Sequence, residues 1–150
     1  MTEMTPMKDI LHDLLIQNFA TYVQVLPHGL RLKSGKLLPQ ITGEVLATGP
    51  ARTLYQNRKP LCRSLDGLHS LKTNKTCVSC LQRNKCTAQI RLDLLDKDKG
   101  VLRFLLAYTS ARNYLLFSSS LSKNQCPIEG TTITISVMNR GRWGELCFHR

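Results

Sequence analysis

Four cysteines, Cys62, Cys77, Cys80 and Cys86, stand at the spacing C-x14-C-x2-C-x5-C inside a stretch rich in lysine and arginine. A structural zinc ion takes four tetrahedral ligands, with zinc–sulfur bonds of about 2.3 Å, and the turn Cys77-Val78-Ser79-Cys80 offers two thiolates from one tight loop. Cys62 and Cys86 then close the shell from either side. The chemistry expected is structural, since four cysteine ligands leave no open position for water. Two other readings stand beside zinc: a redox pair and ordinary free thiols. A redox C-x-x-C opens a helix after a buried strand, whereas here Lys72-Thr73-Asn74-Lys75-Thr76 precedes the pair and Leu81-Gln82-Arg83-Asn84-Lys85 follows it. His69 is the alternative fourth ligand if Cys62 lies apart from the others. Cys126 and Cys147 fall outside the cluster and read as packing residues; His28 and His149 read as surface residues.

The charge around these cysteines points to a partner. The chain of 150 residues has a formal net charge of +11. Between Arg31 and Lys85 stand eleven cations (Arg31, Lys33, Lys36, Arg52, Arg58, Lys59, Arg63, Lys72, Lys75, Arg83 and Lys85) against two acids, Glu44 and Asp66, a local excess of nine. The N-terminal part instead sets Glu3, Asp9 and Asp13 against Lys8. Such an asymmetry is the electrostatic footprint of a phosphate-backbone binder, with a solubilising face as the plainer alternative. Single strands also need aromatic platforms for their bases. Tyr55 lies among Arg52, Arg58 and Lys59, and Trp143 is bracketed by Arg140 and Arg142; core packing is the competing reading of Trp143. Asp66-Gly67 reads as a turn that reverses the chain towards the metal.

Other classes find no support in the sequence. No histidine is followed two residues later by glutamate, as a zinc deaminase requires. The chain also lacks G-x-x-x-x-G-K-[ST], H-E-x-x-H and G-x-S-x-G, so no enzyme is expected. No run approaches the roughly 18 apolar residues of a membrane span, and no basic amphipathic helix with an aromatic face is present, so no membrane partner is expected. The first residues lack a basic segment followed by an apolar core, which makes a cytoplasmic protein with reduced thiols the expectation.

The elements that must position these residues read mainly as strands within one domain, residues 1–150. Ile10, Leu11, Leu14 and Leu15 repeat at helical spacing, giving an N-terminal helix or arm over residues 1–18. Strands are expected at Phe19–Leu26, Gly29–Lys33, Ile41–Ala47 and Arg52–Asn57, then a zinc loop over 60–88. Ala88–Leu94 alternates cleanly, with Ile90, Leu92 and Leu94 on one face and Gln89, Arg91 and Asp93 on the other, the pattern of a half-buried strand. A turn at Asp96–Gly100 returns the chain as Val101–Tyr108, with Phe104 and Tyr108 in the core. Thr109 or Ser110 caps a helix over Ala111–Leu121 that packs Leu115 and Leu116 inward and frays at Ser118–Ser120. Thr131–Met138 and Trp143–His149 form a last hairpin. A helix between the third and fourth of five antiparallel strands is the arrangement of an OB-like barrel, here with a zinc-binding loop insertion; an α+β domain with an open antiparallel sheet explains the same pattern.

A resemblance bears on the cysteine loop. Cys62-Arg63-Ser64-Leu65-Asp66-Gly67, followed by Cys77-Val78-Ser79-Cys80, Cys86 and the strand from Ala88, resembles small zinc-containing proteins of phages and mobile elements. Their architecture is similar to that of phage single-stranded-DNA-binding proteins carrying zinc in a loop of an OB-fold. The resemblance covers roughly residues 60–121. In those binders one ligand is a histidine; Cys62 takes its place here, leaving His69 spare. What it implies is a zinc-ligand role for the four cysteines and non-sequence-specific binding of single-stranded DNA or RNA, serving replication, recombination or repair of a mobile element. The alternative is a protein-interaction module, an accessory or inhibitory subunit of a larger nucleoprotein assembly.

Overall fold

The computed structural model describes residues 20–71, 76–77, 80 and 85–150. The expected N-terminal helix lies outside the described residues, as do Lys72, Lys75 and Arg83. The elements run β1 (Thr21–Tyr22), β2 (Gln24–Leu26), β3 (Gly29–Arg31), β4 (Leu37–Leu38), β5 (Gln40–Gln56), β6 (Lys59–Ser64), β7 (Thr87–Asp96), β8 (Gly100–Leu106), α1 (Tyr108–Lys123), β9 (Thr132–Asn139) and β10 (Gly144–His149). The main sheet has the order β1-β8-β7-β5-β9-β10, with β6 paired to β5, and β2-β3-β4 form a small second sheet.

Two expected strands prove to be one. β5 spans seventeen residues and is shared by three partners: β9 along 40–44, β7 along 44–53 and β6 along 52–56. Gly49-Pro50 does not break it, because no described strand pairs with the other edge of β5 at residues 46–51 and the missing N–H of Pro50 is tolerated there. The strand carries a bulge between Val45 and Ala47, and at Gly43 β7 comes so near that a Cβ would sit 2.6 Å from the Leu95 carbonyl oxygen.

The core lies on the inward face of this curved sheet. Leu92 and Leu94 of β7, Leu102, Phe104 and Leu106 of β8, Ile133 and Ile135 of β9 and Leu146 of β10 are all buried, with Leu30 of β3 closing one end. The opposite face of β7 departs from the expected pattern, since Gln89 and Asp93 are buried too. Asp93 is held by Arg103 through Nε at 2.8 Å and Nη2 at 3.3 Å. Arg91 donates from Nη1 to the Leu65 carbonyl at 2.7 Å, so the loop after β6 roofs that face. Burial works against charged Arg103, and the bonds and attraction of Asp93 outweigh it, so its pKa rises.

The sheet is mixed, and no closed barrel forms among the described strands. The reason lies at its two edges, which need partners wherever they are covered. The outer edge of β8 takes β1 in parallel, Thr21 beside Leu102 and Tyr22 beside Arg103, and Val23 adds an N–H to the Arg103 carbonyl at 2.9 Å. The outer edge of β10 is met by α1: the Leu146 N–H donates to Ser110 Oγ at 3.0 Å, and its carbonyl accepts from Asn113 Nδ2 at 3.0 Å.

The helix also corrects the sequence reading. It begins at Tyr108 after Ala107, without a side-chain cap, and runs through Ser118–Ser120 to Lys123. Ser110, Tyr114 and Leu121 are its buried residues, and Tyr114 and Phe117 pack their rings on Phe148 at 5.4 and 6.3 Å. Leu115 and Leu116 are 57 % and 64 % exposed, and Tyr108 is 80 % exposed where the core was expected. No described helix is long and apolar enough to cross a membrane.

Candidate metal centre and nucleic-acid interface

Cys62 lies in strand β6 and not in a loop, opposite Leu54 of β5. Its sulfur is 3.0 Å from Ser70 Oγ. After β6 the chain turns at Asp66, whose Oδ1 accepts from the N–H groups of Leu68 and His69, both at 2.8 Å, and from Ser64 Oγ at 3.0 Å. The His69 ring at 3.0 Å from Oδ2, with these bonds, holds the Asp66 carboxyl far below the usual carboxylate range. Gly67 completes the reversal at φ +74°, with its Cα side turned to Pro50. Two bonds then draw in the cysteine knuckle. The Cys77 N–H donates to the Leu68 carbonyl at 2.6 Å, and the Cys80 N–H donates to the Cys77 carbonyl at 3.2 Å. An isolated bridge pairs His69 with Thr76.

Cys86 enters from the other side, one residue before β7. Burial pushes its thiol up, and the neighbouring thiols of Cys80, Cys62 and Cys77 push the same way while Arg52 pulls it down. Cys86 therefore lies near enough to each of the other three to feel its charge. Among the described residues, no three His, Cys, Asp or Glu side chains are gathered so as to hold a metal ion. The donor set itself fits zinc: four thiols from a strand, a one-turn knuckle and the entry of the next strand, with cationic Arg52 beside them.

Next to this cluster runs a groove of about 990 Å³, lined by Tyr22, Arg31, Lys33, Tyr55, Arg58 and Arg63 among others. Among the described residues its lining carries four cations and no acidic side chain. Strands place two of these cations, Arg31 and Arg63, and turns place Lys33 and Arg58. Arg31, on β3, donates from Nε to Gln24 Oε1 of β2 at 3.0 Å. Arg58 sits in the two-residue turn between β5 and β6. Arg63, on β6, lays its guanidinium 4.4 Å from the centre of the Tyr22 ring, which also takes Arg103 at 5.7 Å. The buried Nε of Arg63 has no hydrogen-bond partner among the described residues.

Tyr55 is 43 % exposed in this groove, and its hydroxyl is fixed. Gln89 Nε2 donates to it at 3.1 Å, and Gln89 Oε1 in turn accepts from the buried Thr53 hydroxyl at 2.6 Å. A ring tethered at its hydroxyl and nearly half exposed offers surface on which a base could stack.

The structure thus brings together Arg31, Lys33, Tyr55, Arg58 and Arg63 of the sequence-derived set. Lys36 and Lys59 are exposed and do not line the groove; Arg52 and Lys85 lie on the cysteine side. Arg140, Arg142 and Trp143 occupy the turn between β9 and β10, Trp143 being 46 % exposed. Arg140 there pairs with Glu145 at 2.9 Å. Two residues escape the sequence reading. Tyr22 reads only as a strand residue, because its role follows from β1 pairing with β8, eighty positions on; Tyr108 reads as a core residue because the apolar alternation of β8 runs into it.

Comparison with models of protein families, with curated proteins and with solved structures finds no match for this chain.

Proposed function

We propose that this protein binds single-stranded nucleic acid, DNA foremost, without sequence preference, and that a zinc ion held by Cys62, Cys77, Cys80 and Cys86 stabilises the loop beside the binding groove. The observation that carries the reading is the groove itself: four cations, no acid and a tethered, half-open tyrosine meet the two needs of single-strand binding, a cationic track and an aromatic face. The order β8-β7-β5-β9-β10, with α1 between β8 and β9, supports an OB-like architecture left open where β1 and α1 take the edges. In OB-folds the second and third strands and the loops 1–2 and 4–5 meet oligonucleotides. Their counterparts here are β7, β8, the cysteine-bearing connection and the Arg140–Trp143 turn. Zinc supplies a fixed tetrahedral cross-link in this reading, and the groove residues do the binding. The resemblance to phage and mobile-element proteins makes replication or recombination of such an element the setting.

Fluorescence anisotropy with labelled oligonucleotides tests this. Single strands should bind more tightly than duplex, because a stacked helix hides the base faces that Tyr55 would meet. Affinity should fall with salt at a log–log slope of about −0.7 per phosphate neutralised. Tyr55→Ala should lower affinity at every salt concentration, with the slope nearly unchanged. Absence of binding to either form at low salt overturns the proposal. It would favour the second reading, an accessory subunit of a nucleoprotein assembly, for which the exposed Tyr108, Leu115 and Leu116 on α1 are the supporting observation.

A further inference from the structure

A second cleft, of about 440 Å³, opens where β8 gives way to α1, between Ala107, Tyr108, Thr109, Ser110, Trp143 and Gly144. Its two aromatic rings come from elements far apart in sequence, and both are turned to solvent, Tyr108 more than any other large apolar or aromatic residue that is described. The exposure of Tyr108 is imposed by the backbone. Its φ of +51° is a left-handed conformation that bulky residues avoid, and residues held so tend to sit at functional sites. The Trp143 turn is equally constrained. The Arg140 N–H donates to the Trp143 carbonyl at 3.0 Å, and Gly144 packs so closely on β2 that a Cβ there would lie 2.5 Å from the Leu26 carbonyl oxygen.

The surroundings are cationic. Arg142 is exposed with no ion pair or hydrogen bond among the described residues, and Arg112 lies one helical turn from Tyr108. Glu145, the acid nearest in sequence to the turn, is already engaged by Arg140. Two exposed aromatic rings near guanidinium groups that make no ion pair among the described residues suit an occupant that is planar and attached to negative charge, which an unpaired base on its phosphate backbone is.

The cleft also adjoins the groove. Leu105 lines the groove and Ala107 lines the cleft, two residues apart on one chain, about 7 Å in extended backbone. Val25 likewise lines the groove while its neighbour Leu26 lies against Gly144. We propose that Tyr108 and Trp143 form a second base-stacking platform, continuous with the Tyr55 groove, so that one strand occupies both. The proposal rests on the reading of the groove as a single-strand site and extends it to residues just beyond the end of β8.

The chain contains one tryptophan, so its emission reports this cleft alone. The full-length protein is titrated at low salt with unlabelled oligo-dT of about twelve nucleotides, within the length an OB-fold covers, and binding is followed in parallel by anisotropy of the labelled oligomer. Quenching of Trp143 emission should track the anisotropy. Tyr108→Gly, which suits the left-handed backbone and so keeps the fold, should weaken binding about tenfold with an unchanged salt slope; Tyr108→Phe should restore it. Binding by anisotropy with neither quenching nor an effect of Tyr108→Gly overturns the second platform and leaves the groove standing. No binding in either channel overturns the groove reading and this proposal together.

Discussion

Asn57 and Arg58 both take left-handed backbone angles, φ 53° and 65°, the geometry of a two-residue type I′ turn between antiparallel strands. Asparagine followed by glycine is the favoured pair there, and an arginine in the second position costs about 1–2 kcal/mol of conformational strain. Arg58 nonetheless lines the groove. A residue that destabilises its own turn and lines a cationic groove would be explained by binding of the kind proposed. Arg58→Gly should therefore raise the urea midpoint by the equivalent of about 0.5–1 kcal/mol, the relief of strain less the extra unfolded-state entropy of glycine. The same variant should bind single strands more weakly and with a salt slope smaller by about 0.7. Arg58→Ala, which keeps the strain, should lose affinity without gaining stability. Unchanged binding in both variants would make the arginine an accident of the turn. The Asp93–Arg103 pair shows the opposite balance, since both groups are buried and each satisfies the other, so either one without its partner would be a buried uncompensated charge.

At the scale of elements, three backbone bonds tie the described part of the cysteine connection, from the N–H groups of Leu71, Cys77 and Cys80 to the carbonyls of Arg63, Leu68 and Cys77, and none of its described large apolar side chains is buried. Leu68 and Leu71, which lie in it, are exposed. Such a segment has little hydrophobic burial to hold it, and metal ligation would supply what packing does not. Purified protein should contain one zinc per chain, and Cys80→Ser should lose it, as measured by metal analysis of the protein after dialysis. Full occupancy in that variant would remove Cys80 from the ligand set. Legibility in the sequence follows the same division. β7 is plain from Ile90, Leu92 and Leu94, because an alternating apolar face must be buried against something whichever strands are its neighbours. The burial of its other face depends on Leu65 and on Arg103, and no local pattern carries that. On α1, Leu115 and Leu116 look inward by composition, yet Tyr114 and Phe117 occupy the core instead. The two candidate faces lie about half a turn apart on the helix, and the Phe148 ring on β10 packs on the face of Tyr114 and Phe117. The groove residues were legible as a basic run around Tyr55, while which of them converge depended on the turn after β5 and on the arrival of β3.

At the scale of the molecule, the hydrophobic core and the cysteine connection share few residues. The buried side chains of β3, β5, β7, β8, β9 and β10 pack on one another and on Tyr114, and among the described residues none of them belongs to 65–86. Both vulnerable edges of the sheet are also covered without that connection, β8 by β1 and β10 by α1. The sheet should thus stay folded when metal is withdrawn, unlike a small zinc finger whose folding free energy is the metal's. Chelation should leave one cooperative unfolding transition in circular dichroism, with a lower midpoint. Hydrogen exchange should quicken in residues 65–86 and hold steady at Leu92, Phe104 and Ile135. Binding should weaken as well, since Arg63 lies just before the connection and Leu65, whose carbonyl accepts from Arg91, lies at its start. Complete loss of structure on chelation would mean that the metal organises the sheet, and the division between core and loop drawn from these contacts would fall.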